Sequence, residues 1–231
     1  MVTPSRWLGD CARKSSLFKN TRVEVIPNGI DTNLYKPLDQ KVCREVFSLP
    51  NDKKIVMFGA MYCTSDENKG FEFLVSALRK IAKTAHRNDI VAVVLGADNP
   101  AESFDIGLDT RFLGRLSDDT SLVVAYSAAD VFVAPSKQEN LPNMVMEAMS
   151  CGVPCVAFDI GGMPDMIKHG ENGYLARPYD VDDLAQGILW GLLDNTSMSV
   201  CSKAARKKIE LEYSEDVIAH RYASLYEQLL G

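Results

Sequence analysis

Glu139 and Glu147, with seven residues between them, are the groups best placed to do chemistry. They bracket Asn140-Leu141-Pro142-Asn143-Met144-Val145-Met146, directly after an apolar run that ends at Ala134-Pro135-Ser136. That places the segment at the C-terminal end of a predicted strand, where open α/β sheets bind ligands. Pro142 suits a first helical turn, and such a turn leaves the amides of Asn143 and Met144, and next Val145, without intrahelical acceptors. A helix start of this kind attracts phosphate through its N–H groups and its dipole. Glu147 falls inside a helix whose other members, Met144, Val145, Met146, Ala148 and Met149, are apolar on nearly every side. A carboxylate there needs a partner, because an unpaired buried charge is costly. Two partners fit: a ribose diol, which donates two hydrogen bonds, or a Lys or Arg of the core. On residue type alone Glu139 reads as a solvated loop residue and Lys69 as a surface lysine.

Other chemistries find little support. With 25 basic and 31 acidic residues the net charge is -6, and the basic residues are scattered apart from Arg206-Lys207-Lys208, so binding to a nucleic-acid backbone is disfavoured. The six cysteines lack a Cys-x-x-Cys spacing, which suits reduced thiols and a cytoplasmic location. His86, His169 and His220 have no ligand-like spacing, and no metal site is expected. Asp180-Val181-Asp182 looks like a metal-binding pair, but it opens a predicted helix where carboxylates cap amides. Apolar runs are too short to span a membrane, and Arg6, Asp10 and Arg13 interrupt any leader-like pattern at the N-terminus.

The elements that must position these residues alternate between β-branched runs and amphipathic segments, the pattern of parallel βαβ units. Strands are predicted near 23–26, 54–59, 90–96, 111–113, 131–134 and 154–158. Helices are predicted over 41–48, 71–85, 120–128, 142–151, 181–193, 197–212 and 214–230. The expected fold is a Rossmann-like α/β domain over 22–212. Residues 1–21 form a helix and linker, and 213–231 a last helix. Ile218, Tyr222, Leu225 and Leu229 make an apolar stripe on that helix, which must pack on the sheet or on a neighbouring domain.

The glutamate pair, followed by Ala148-Met149-Ser150-Cys151-Gly152-Val153-Pro154, resembles the signature of the large sucrose-synthase-like family of retaining glycosyltransferases. The resemblance extends to Val25-Ile26-Pro27-Asn28-Gly29-Ile30-Asp31, Lys69-Gly70, Ala129-Asp130 through Ser136, Gly161-Gly162 and Glu171-Asn172-Gly173. It implies one half of a two-domain GT-B enzyme, the half that binds a UDP- or GDP-linked sugar donor, with a glycan or lipid-linked acceptor held by the other half. It further implies metal-independent transfer with no cofactor, peripheral association with a membrane in the longer enzyme, and no activity in this half alone. Glu139 and Lys69 become the catalytic positions, at the sugar and the diphosphate. Gly59, Gly114, Asn140, Leu141, Pro142, Asn143, Met144 and Glu147 become the donor-binding positions, Gly114 at the base and Glu147 at the ribose.

One departure stands out. The family usually carries an arginine directly after the glycine at position 59, whereas here Ala60 follows, with a longer loop to Asn68. Arg115 is one candidate substitute for the missing charge. A nucleotide-sugar epimerase or a glycogen-type phosphorylase would share the same cleft. A receiver-like binding module would want clustered acids at strand ends, and only Asp98 follows the 90–96 run.

Overall fold

The computed structural model of the chain describes residues 1–59, 67–96, 105–193 and 195–231. Ala60, Cys63 and Asp98, and with them most of the loop before Lys69, lie outside the described residues. The chain opens with β1 (Val2–Thr3), α1 (Arg6–Lys14) and β2 (Glu24–Val25). It continues through α2 (Gln40–Val46), β3 (Lys54–Gly59), α3 (Phe71–Ile81), β4 (Ile90–Leu95), β5 (Asp109–Phe112), α4 (Asp119–Ala128) and β6 (Val131–Ala134). Then follow α5 (Asn143–Ser150), β7 (Cys155–Phe158), α6 (Met163–Met166), β8 (Gly173–Ala176), α7 (Val181–Leu193), α8 (Asn195–Glu212) and α9 (Glu215–Leu230).

The main sheet has six parallel strands in the order β5-β4-β3-β6-β7-β8. Strand order reverses between β3 and β6, and an open parallel sheet leaves a crevice at that point, beyond the C-terminal ends of the strands. Every residue of β4 is buried, as expected for a strand covered on both faces. The alternation of side chains divides the core into two layers. Ile55, Met57, Val91 and Phe132 pack with residues of α2, α4, α5 and α8. Val56, Phe58, Val94 and Val156 pack with residues of α3 and α7 on the opposite face. Asp130, from the Ala129-Asp130 motif, accepts from Ile55 N (2.6 Å) and from Arg44 Nη2 (2.7 Å), so it fixes the base of the sheet rather than the cleft.

Some boundaries differ from the sequence expectation. The helix expected over 71–85 ends at Ile81, and Thr84 accepts from the amide of His86 (3.3 Å) to start a separate 3-10 turn, Ala85–Asp89. The last helix packs neither on the main sheet nor wholly on solvent. Ile218 and Leu225 are buried against Ile26, just after β2, with Tyr222 alongside. Leu229 and Leu230 stay 63% and 88% exposed. At the other end Trp7 and Leu8 are half-buried, while Leu17 is 83% exposed. All five described cysteines are free.

Candidate functional site

A cleft of about 430 Å³ opens at the switch point between β3 and β6. Of the expected site residues, Gly59, Lys69, Glu139, Leu141, Pro142, Asn143 and Met144 line it. Gly59 ends β3, and Lys69 precedes α3. The rest belong to the loop after β6 and the start of α5. Residues far apart in sequence thus meet because two neighbouring strands end side by side.

Lys69 and Glu139 are brought into contact, Nζ lying 3.0 Å from Oε2. The Ser136 hydroxyl donates to the same carboxylate oxygen at 3.3 Å. Backbone packing holds both segments. Lys137 N donates to Asn68 O (2.8 Å), which ties the Glu139 loop to the residue before Lys69. Gly70 adopts φ 63°, and a Cβ there would sit 2.0 Å from Pro135 O. Glycine is therefore required where the Lys69 segment crosses the loop. On the far side Gly162 N donates to Glu139 O (3.2 Å). Gly161 has φ 52°, and a Cβ there would lie 2.0 Å from that same oxygen.

α5 begins at Asn143, one residue later than expected, and Pro142 is its extended N-cap residue with no side-chain cap on the helix. The Val145 amide is not open, because it donates to Pro142 O at 3.1 Å. The amides of Asn143 and Met144 begin the helix with no acceptor among the described residues. They border a cleft whose lining, among the described residues, carries one cationic and one anionic side chain, Lys69 and Glu139.

Three expected binding residues do not line this cleft. Asn140 accepts at its side-chain oxygen from the Ser5 hydroxyl, which caps α1. Gly114, with φ 67°, accepts from Gly96 N (2.9 Å) at the ends of β4 and β5. Glu147 points toward α4. Its Oε2 accepts from the Tyr126 hydroxyl at 2.7 Å, and no Lys or Arg among the described residues pairs with it. The core ion pair considered from the sequence is thus replaced by a phenol, a neutral donor. Burial raises the Glu147 pKa; the Tyr126 hydrogen bond opposes that shift, and Asp119 nearby adds to it. Arg115 is exposed and lies outside the cleft lining. Asp180 caps α7, accepting from the amides of Asp182 (2.9 Å) and Asp183 (3.0 Å). No cluster of metal-ligating side chains occurs among the described residues.

The sequence reasoning overlooked Asn28 and Ser136 as cleft residues. Asn28 sits in a Pro-Asn-Gly turn far from the glutamates in sequence, and only the fold shows that this turn overhangs the switch point.

A parallel sheet with this strand order and a cleft at its reversal, largely apolar with Lys69 and Glu139 set into it, defines a ligand-binding α/β domain. The chain belongs to the Glycosyl transferases group 1 family, whose pattern matches residues 52–194, more than half of the chain. It is 30% identical over 219 residues to the glycosyltransferase MJ1607 of Methanocaldococcus jannaschii, covering 89% of this chain and 54% of that one. It superposes on sucrose-phosphate synthase from Thermosynechococcus elongatus with TM-score 0.84 and 27% identity, covering 99% of this chain and 58% of that one. It also shares its fold with Alr3699/HepE of Anabaena in complex with UDP-glucose, with TM-score 0.77 and 22% identity, covering 98% and 63%. The chain therefore spans 54% to 63% of the length of these relatives. No helix among the described residues is long and apolar enough to cross a membrane.

Proposed function

We propose that this chain is the donor-binding half of a retaining glycosyltransferase of the sucrose-synthase-like type, acting on a UDP- or GDP-linked sugar. The observation that carries the reading is the meeting of Lys69, Glu139 and the uncapped start of α5 in one cleft. A diphosphate entering there takes the Lys69 ammonium as its counter-ion and the Asn143 and Met144 amides as donors. Glu139, released from Lys69, then accepts from hydroxyls of the transferred sugar. Glu147 accepts from the ribose. In transfer, the bond from the anomeric carbon to the diphosphate oxygen breaks with its electron pair going to the diphosphate. An acceptor hydroxyl oxygen forms the new bond on the same face, and its proton passes to the departing diphosphate oxygen. Lys69 and the helix amides stabilise the leaving charge, so no divalent ion and no cofactor are required. The acceptor, a glycan or a lipid-linked sugar, belongs to the part of the longer enzyme that this chain does not span, and the reaction runs in the cytoplasm, with peripheral contact to a membrane.

Calorimetry with UDP, GDP and ADP and their hexose conjugates tests this. One base series is expected to bind, and Lys69→Ala to weaken it by about 10- to 100-fold, the worth of a charge-assisted hydrogen bond. Equal affinity of Lys69→Ala and the parent chain, or no binding in any series, overturns the reading.

A further inference from the structure

We propose that Tyr179 is a positioning residue that holds the loop between β6 and α5 in the shape that brings Glu139 to Lys69. Tyr179 lies in the turn before α7, and its backbone is left-handed at φ 62°. Only one other described non-glycine residue, Ser48, has positive φ, and it sits just past the end of α2, where a left-handed residue is common. A tyrosine in this region is strained, and strain of this kind persists where surrounding contacts over-determine it. Burial alone does not account for it, because Tyr179 is 50% exposed.

The contacts that hold it join α3 and β7 to the Glu139 loop. The ring stacks on Phe73 of α3 (5.9 Å, 30°) and meets Phe158 of β7 (5.9 Å, 62°). Its hydroxyl donates to Lys137 O at 3.0 Å. Lys137 is also the residue whose amide donates to Asn68 O (2.8 Å), and its ammonium pairs with Glu72 and lies 5.7 Å over the Phe73 ring. One residue of the loop is thereby tied to the Lys69 segment, to α3 and to the turn before α7. Glu139 follows two residues later. Loss of the Tyr179 bond leaves the Lys137 carbonyl without that tie, and Glu139 loses its fixed register with Lys69. The meaning of that register for the donor rests on the function proposed above, whereas the clamp itself does not.

The test uses Tyr179→Phe, which keeps the rings and the backbone strain but removes the hydroxyl, and Tyr179→Gly, in which the left-handed backbone costs little. Amide hydrogen exchange without nucleotide should speed up by about five-fold at Lys137 and Gly162 in both variants, the effect of losing one net hydrogen bond, while amides of β3 and β4 keep their protection. Either variant as protected as the parent chain at those amides overturns the clamp. Calorimetry with UDP and UDP-glucose then reads the positioning role. UDP-glucose affinity is expected to fall by about five-fold in Tyr179→Phe with UDP affinity unchanged, and equal UDP-glucose affinities overturn the role. A parent chain that binds neither probe counts against the proposed function, and exchange still decides the clamp.

Discussion

Glu139 and Glu147 differ in what each carboxylate already touches, and the difference separates their proposed roles. Glu139 holds an ammonium and a hydroxyl at the cleft, partners that a charged ligand can displace. Glu147 holds the buried Tyr126 phenol through one oxygen, which leaves the other for a second donor. Glu147→Gln should weaken bare nucleoside diphosphate and nucleotide sugar alike, whereas Glu139→Gln should weaken only the sugar-bearing ligand. Each loss is about 1.5–3 kcal/mol, or about 10- to 100-fold. The pKa direction adds a stability signature. Because burial raises the Glu147 pKa above 4.5, its contribution to stability is full below that value and is lost as pH rises through the folded-state pKa. As pH rises above 4.5 the parent chain therefore loses stability that Glu147→Gln, which does not titrate, should keep, so the variant should melt no lower than the parent at neutral pH. Equal shifts of both ligands by both variants, or a collapse of Glu147→Gln at neutral pH, sink the assignment.

At the scale of elements, glycines fix how closely two loops approach the Glu139 segment. Gly161→Ala is expected to cost at least about 2 kcal/mol, from the left-handed φ and from a Cβ that would lie 2.0 Å from Glu139 O, a backbone atom that cannot swing away. Thermal unfolding should show the loss, and UDP-glucose binding should fall with it because the loop must shift. A variant as stable as the parent would mean the loop yields freely. Much of this architecture was readable from residues. The runs at 54–59, 131–134 and 181–193 match β3, β6 and α7 because continuous apolar or amphipathic patterns are long enough to declare themselves. β8 escaped notice because Gly173-Tyr174-Leu175-Ala176 opens on a glycine directly after a turn, and only pairing with β7 makes it a strand. β1 is two residues long and exists through its pairing with β2, and α6 is a single turn, so neither carries a periodic signal. The site was legible in part for the same reason. Residues of the 139–147 segment were found, while Asn28, Tyr126 and Tyr179 gain their roles only from contacts across the fold.

Across the whole molecule, two apolar layers sandwich the main sheet, and α9 stands apart on a small cluster of Ile26, Ile218 and Leu225. The cleft therefore rests on a core to which α1 and α9 contribute no residue. Transfer is a different matter. The chain spans 54% of the M. jannaschii relative and 58% of the sucrose-phosphate synthase, and the cleft lining among the described residues contains Lys69, Glu139 and the start of α5. Holding two reactants in register lowers a barrier by several kcal/mol, of the order of 7–11 kcal/mol for well-oriented groups. A chain that binds one reactant and leaves the other to diffusion forfeits that contribution. The expected outcome is saturable binding of a nucleotide sugar by calorimetry with no multiple-turnover release of nucleoside diphosphate when glycan or lipid-linked acceptors are added. Steady turnover by this chain alone would show that its own residues hold the acceptor, and would overturn the assignment of that task to the remaining length of the longer relatives.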